Sequence, residues 1–138
     1  MDKNIMTPNE EITVTADELR DPRSLAEFIV KVLDSKKARD IKLLHVEKQT
    51  IITDYFVICT GNSRTQIRAL ADEIEYKQST FEITPTHTEG ADTGTWLLQD
   101  YDSVIVHIFN NEAREFYNLD KLYAETKEQD ISDLLTED

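Results

Sequence analysis

Val104-Ile105-Val106-His107-Ile108-Phe109 is apolar at every position but one. A strand points successive side chains to opposite faces, so a run apolar throughout belongs where both faces are covered. This run is therefore read as a central strand. Toward the N-terminus, Asp100 to Ser103 supplies turn chemistry, and Thr95 to Gln99 reads as the strand that returns beside it. Earlier still, Phe81, Ile83 and alternating threonines surround Pro85, which lacks a ladder donor. That stretch is expected to be a short edge strand or extended loop ending at Glu89 and Gly90.

The flanking segments complete the pattern. Ile67, Leu70, Ala71 and Ile74 recur at helical spacing after the Gly61-Asn62-Ser63 break. Before that break, Ile52 to Cys59 and Ile41 to Val46 read as two strands joined at a turn near Lys48 and Gln49, forming a hairpin. Asp21 with Pro22 opens a first helix carrying Leu25, Phe28, Ile29, Val32 and Leu33, with Lys36, Lys37 and Arg39 near its end. Asn110 or Asn111 is positioned to cap a last helix with Ala113, Phe116, Tyr117, Leu119, Leu122 and Tyr123. The order α-β-β-α-β-β-β-α predicts an α/β fold, a mixed sheet of about five strands covered by helices. Residues 23–123 are expected to form one domain, with an acidic N-terminal extension over 1–22 and an acidic C-terminal tail over 124–138.

A chain of 138 residues is long enough for one such core. No apolar run approaches the roughly 20 residues that cross a bilayer, and the start MDKNIMTPNEE resembles neither a secretion signal nor an organellar presequence. A cytoplasmic location with no membrane contact is expected. One cysteine excludes an internal disulfide and a cysteine-rich zinc cage. The net charge of −13 opposes general binding to nucleic-acid backbones. It concentrates in the tails: residues 1–22 hold two basic and six acidic side chains, and residues 124–138 hold one and six. Such tails commonly serve solubility, and they can also attract a basic partner.

Candidate chemistry is sparse. His87, Glu89 and His107 bring possible metal donors, but their spacing matches no ligand pattern, and structural or surface roles are the simpler reading. Cys59 lies within apolar Phe56-Val57-Ile58, which favours a packed thiol over a nucleophile. Gly61-Asn62-Ser63 before a helix, with Asp100 and Asp102, evokes a phosphate-binding turn and metal-holding carboxylates. Their separation of almost forty residues, and the turn setting of both acids, argue against a nucleotidyltransferase. Trp96-Leu97-Leu98-Gln99-Asp100-Tyr101 joins large aromatics to an acid on a hairpin. The lone Trp can be core, yet this combination also suits a protein-binding surface.

Taken together, Lys36-Lys37-Ala38-Arg39-Asp40-Ile41, the run Asp54 to Ser63, Glu89-Gly90, Trp96 to Phe109 and Arg114 to Tyr123 resemble the ribosomal silencing factor, or Iojap, family. The similarity spans about residues 24–123. It implies a nucleotidyltransferase-like α/β fold without catalysis and without a cofactor. It further implies attachment to the large ribosomal subunit through universal ribosomal protein number fourteen, with little direct nucleic-acid contact. Such attachment would block subunit joining when nutrients are scarce. Carried to this chain, the implied contact group is Trp96, Leu98, Asp100 and Tyr101, with Glu89 and Gly90 shaping the approach and His107 and Phe109 on the adjacent strand. Some family members form pairs, so a homodimer is compatible with the resemblance. The chain departs from the family at Asp102-Ser103, where Gly-Asp is common, and at Gln99, where an apolar residue is usual. A residual enzyme and an adaptor for a non-ribosomal basic partner are the alternative classes.

Overall fold

The protein is described by a computed structural model covering residues 14–46, 53–122 and 127–136. Helix α1, Pro22–Ser35, starts where expected: the Asp21 carboxylate accepts from the Ser24 amide at 3.0 Å, and Pro22 needs no amide partner in the first turn. Lys36 and Lys37 lie just past its end, with Lys37 in the left-handed region. Strands β1, Arg39–His45, and β2, Tyr55–Thr60, pair antiparallel. Both begin at different residues from the sequence expectation, β1 earlier and β2 later. The turn expected at Lys48 and Gln49 lies outside the described residues.

Helix α2, Arg64–Ser79, is capped by the Ser63 hydroxyl, which accepts from the Gln66 amide at 3.0 Å. Its apolar stripe of Ile67, Leu70, Ala71 and Ile74 is buried. The chain then forms the short edge strand β3, His87–Glu89, followed by β4, Trp96–Asp100, and β5, Val104–Phe109. The sheet order is β3-β4-β5-β2-β1 with a two-residue strand β6, Lys127–Glu128, added beside β1. β5 is buried along its whole length, parallel to β2 and antiparallel to β4. The run apolar on both faces thus lies in the middle of a mixed sheet.

The two faces are covered differently. One packs Val57, Cys59, Leu97, Val106 and Ile108 against α1 and α2. The other holds Leu44, Phe56, Ile58, Ile105 and Phe109 with Ala113 and Leu119, while Trp96 and Leu98 are only partly buried. Ala113 and Leu119 come from helices α3, Asn111–Tyr117, and α4, Leu119–Leu122. These replace the single last helix predicted, because Asn118 adopts φ 47°, a left-handed turn that asparagine tolerates and that ends α3. Asn110 supplies the cap, accepting from the Ala113 amide at 2.8 Å. Tyr123, expected in that helix, lies outside the described residues.

The terminal segments do not simply trail. Leu19 is buried against α1, within the stretch expected to be an extension. Beyond β6, the Gln129 amide donates to the Leu43 carbonyl at 2.8 Å, and the Thr136 amide donates to the Asp34 carboxylate at 2.9 Å. Ile131 is buried, with Leu134 and Leu135 packed beside it. Apolar residues spaced through this acidic segment carry it onto the core, and β6 covers the exposed ladder groups of β1.

Candidate functional site

Residues directly opposite in an antiparallel pair share a face. The pairings Trp96–Phe109, Leu98–His107 and Asp100–Ile105 therefore gather Trp96, Leu98 and Asp100 with His107 and Phe109 on the face that α1 and α2 leave alone. β3 extends the same rows, setting Glu89 beside Leu98 and His87 beside Asp100. The outcome is an edge with apolar rows inside and a charged rim outside.

Tyr101 is not part of this group. It follows Asp100 by one residue and points to the helix-covered core, where its hydroxyl donates to Gln99 Oε1 at 3.2 Å. Gln99 Nε2 in turn donates to the Ala71 carbonyl at 3.0 Å, so this polar residue bridges β4 to α2 from a fully buried position. His107 and Phe109 are also buried, at 4% and 0% exposure, so they lie beneath Trp96 and are not open to a partner. Gly90 has φ 79°, and a Cβ there would come within 2.0 Å of the Trp96 carbonyl oxygen. Only glycine allows the β3–β4 connection to close this tightly onto Trp96.

The indole of Trp96 is held from several sides. Its Nε1–H donates to His107 Nδ1 at 3.1 Å, which requires that nitrogen to be unprotonated. Burial pushes the His107 pKa down to about 4, so the ring is neutral near pH 7. Its other nitrogen, Nε2, has no hydrogen-bond partner among the described residues. The Trp96 ring centroid lies 5.1 Å from Phe109 and 4.5 Å from Tyr117 of α3, and Phe116 meets Tyr117 edge-on at 5.0 Å. Phe116 is 80% exposed and Tyr117 47%. Neither was singled out as a site residue from sequence. Their adjacency was the available signal, because neighbours on a helix point about 100° apart and a short helix cannot bury both.

The other candidates separate. His87 Nε2 and Glu89 Oε2 are 2.6 Å apart on the exposed rim, whereas His107 is committed to Trp96. Among the described residues no group of three or more His, Cys, Asp or Glu is placed to hold a metal ion. Burial pushes the Cys59 thiol up to about 12. Asp100 Oδ1 accepts from the Asp102 amide at 2.8 Å, and Asp102 sits at φ 69°. The two acids thus shape the turn. Among the described residues, no helix is long and apolar enough to cross a membrane.

Comparison with known proteins brings these features together. The profile of a family described as ribosomal silencing factor during starvation matches residues 19–138. A ribosomal silencing factor of Bacillus subtilis is 36% identical over 109 residues, covering 79% of this chain and 92% of the relative. A mouse protein named mitochondrial assembly of ribosomal large subunit protein 1 is 34% identical over 101 residues, covering 71% of this chain and 44% of the relative. A crystal structure of a Chromobacterium violaceum protein superposes with a TM-score of 0.73 at 26% identity, covering 75% of this chain and 87% of that one.

Proposed function

The chain belongs to the ribosomal silencing factor family, and from that premise we propose that it binds the large ribosomal subunit through universal ribosomal protein number fourteen and sterically prevents the small subunit from joining. The observation that carries this reading is the partly open face of β4, where Trp96 and Leu98 stand beside Asp100 and the exposed Glu89. A large aromatic anchor bordered by acids suits a basic protein surface. The mouse relative, by its name, concerns the large ribosomal subunit, which agrees with that choice of partner.

In this mechanism Trp96 and Leu98 are the apolar contacts, and Asp100 and Glu89 orient the approach. His107, Phe109 and Gly90 act from beneath, by setting where Trp96 stands. The net charge of −13 disfavours phosphate contacts, so the protein component of the subunit guides docking, with little direct nucleic-acid contact. Silencing follows from occupied space in the cytoplasm, with no substrate turned over.

Light scattering of purified subunits joining in Mg²⁺ tests the proposal, with the protein preincubated separately with each subunit. Inhibition only after preincubation with the large subunit supports it. Unchanged joining at saturating protein, with nothing cosedimenting with large subunits, would overturn it in favour of an adaptor for another basic partner.

A further inference from the structure

We propose that Phe116 and Tyr117 of α3 form the second half of the docking surface, continuous with Trp96, and that its occupant is a lysine- or arginine-bearing protein loop. The inference rests on the reading above and extends it from the sheet edge to a helix that contributes no residue to the contact group the resemblance implies.

The geometry is specific to the break after α3. Of that helix, only Ala113 is buried. Asn118 then turns the chain left-handed, and Leu119, the first residue of α4, packs onto the sheet. Covering the sheet is thus left to Ala113 and Leu119, and the two aromatic rings between them are turned outward. Tyr117 rests against Trp96, and Phe116 stands edge-on to Tyr117 and is mostly in solvent. Phe116, Tyr117 and Trp96 therefore form one continuous aromatic surface, with Phe109 and His107 as its floor. Exposing a large aromatic beside two others is unfavourable for a chain with no use for it.

Charge selects the occupant. Glu112 is exposed one helical turn before Phe116, and Glu115 is its exposed neighbour. Away from α3, Glu89 of β3 stands beside Leu98, and Asp100 closes the same row at the far end of β4. Carboxylates thus border the aromatic surface and would repel a phosphate backbone. A basic loop instead places its cations against them and lays an alkyl stem or guanidinium over the rings. Protein is accordingly favoured over RNA.

Trp96 is the chain's single tryptophan, so its emission reports directly on this surface. The full-length protein, Phe116→Ala and Trp96→Ala would be compared for cosedimentation with purified large subunits, and the wild type and Phe116→Ala for acrylamide quenching of Trp96. Phe116→Ala is expected to weaken binding by about tenfold or more, with an unchanged unfolding midpoint and unchanged emission of the free protein. Bound wild type should shield Trp96 from acrylamide. If Phe116→Ala binds within about twofold of wild type while Trp96→Ala does not bind, the α3 extension is refuted and the proposed function stands. If Phe116→Ala unfolds measurably earlier, the ring is covered by this chain itself, which also refutes the extension. If wild type fails to sediment with large subunits, the proposed function fails and takes this inference with it.

Discussion

Replacing Asp120 by asparagine tests whether the elbow that presents Phe116 and Tyr117 is held by charge. Asp120 accepts from Arg114 through both oxygens, Oδ1 from Nε at 2.9 Å and Oδ2 from Nη2 at 3.0 Å, while Lys42 Nζ of β1 lies 3.2 Å from Oδ2. Arg114 Nη1 also donates to Thr60 Oγ1 of β2 at 2.9 Å, so one carboxylate ties α3 and α4 to two strands. Burial alone would raise the Asp120 pKa, but Arg114 and Lys42 outweigh it and hold the group at about 2 against an ordinary 3.8. The folded chain therefore binds this proton less readily than the unfolded one. The resulting stabilisation is complete above about pH 5 and fades as pH falls toward about 2. Its upper bound is about 2 kcal/mol. Because 21% of the Asp120 side chain remains in solvent, screening reduces it to about 1 kcal/mol. Asparagine leaves the Arg114 side chain, 13% exposed, facing only neutral acceptors, and this is the same loss that the depressed Asp120 pKa records. Urea unfolding near pH 7 should show Asp120→Asn less stable by about 1 kcal/mol, with the deficit narrowing as pH is lowered. Equal stability near pH 7 would show that Ala113 and Leu119 hold the elbow by packing alone, and a deficit undiminished in acid would show that Asp120 acts through its hydrogen-bond geometry and not its charge.

Three further outcomes follow from two buried side chains and one strained turn. The folded-state pKa of His107 lies at about 4 against an ordinary 6.5, so its contribution is present above about pH 6.5 and is lost as pH falls toward about 4. His107→Gln should flatten that part of the stability profile, which reaches up to about 3 kcal/mol, as read from unfolding midpoints across the range. Cys59, fully buried and with its thiol pushed up to about 12, should react with an aromatic disulfide reagent only as fast as the protein opens. Rapid labelling under native conditions would contradict this. Gly90→Ala adds the strain of a side chain at φ 79° to a clash with the Trp96 carbonyl and should cost more than about 2 kcal/mol with a shift in Trp96 emission, both measurable by thermal unfolding followed by fluorescence.

The centre of the fold was legible because burial on both faces leaves a plain mark. Val104 to Phe109 could be placed in mid-sheet from its unbroken apolar run, and the stripe of α2, the cap at Asp21 and a cap at Asn110 or Asn111 follow equally local rules, of which the structure takes Asn110. The elbow at Asn118 was not legible, since Phe116, Tyr117, Leu119 and Leu122 also suit one continuous helix and only the left-handed residue separates them. β6 escaped notice because two residues in an acidic segment carry no periodicity, and their pairing is decided by the exposed edge of β1. The site divides in the same way. Strand parity already groups Trp96, Leu98 and Asp100 and sends Tyr101 to the opposite face, whereas resemblance had placed all four together. The burial of His107 and Phe109 depends on side chains arriving from β4 and α3, which no local pattern reveals.

The polar residues buried around Trp96 have a shared consequence for recognition. Gln99 fastens β4 to α2 from one face, and His107 fastens the indole from the other, while Gly90 lets the neighbouring connection close over the strand. Burying a histidine whose Nε2 has no hydrogen-bond partner among the described residues is costly, and an apolar residue would fill the same space more cheaply. What an apolar residue could not do is accept the indole hydrogen and so fix one orientation of a partly buried ring. An anchor already held in its bound orientation loses less side-chain freedom when a partner arrives. In the proposed docking, rim carboxylates govern encounter and the pre-set aromatic surface governs how long the complex lasts.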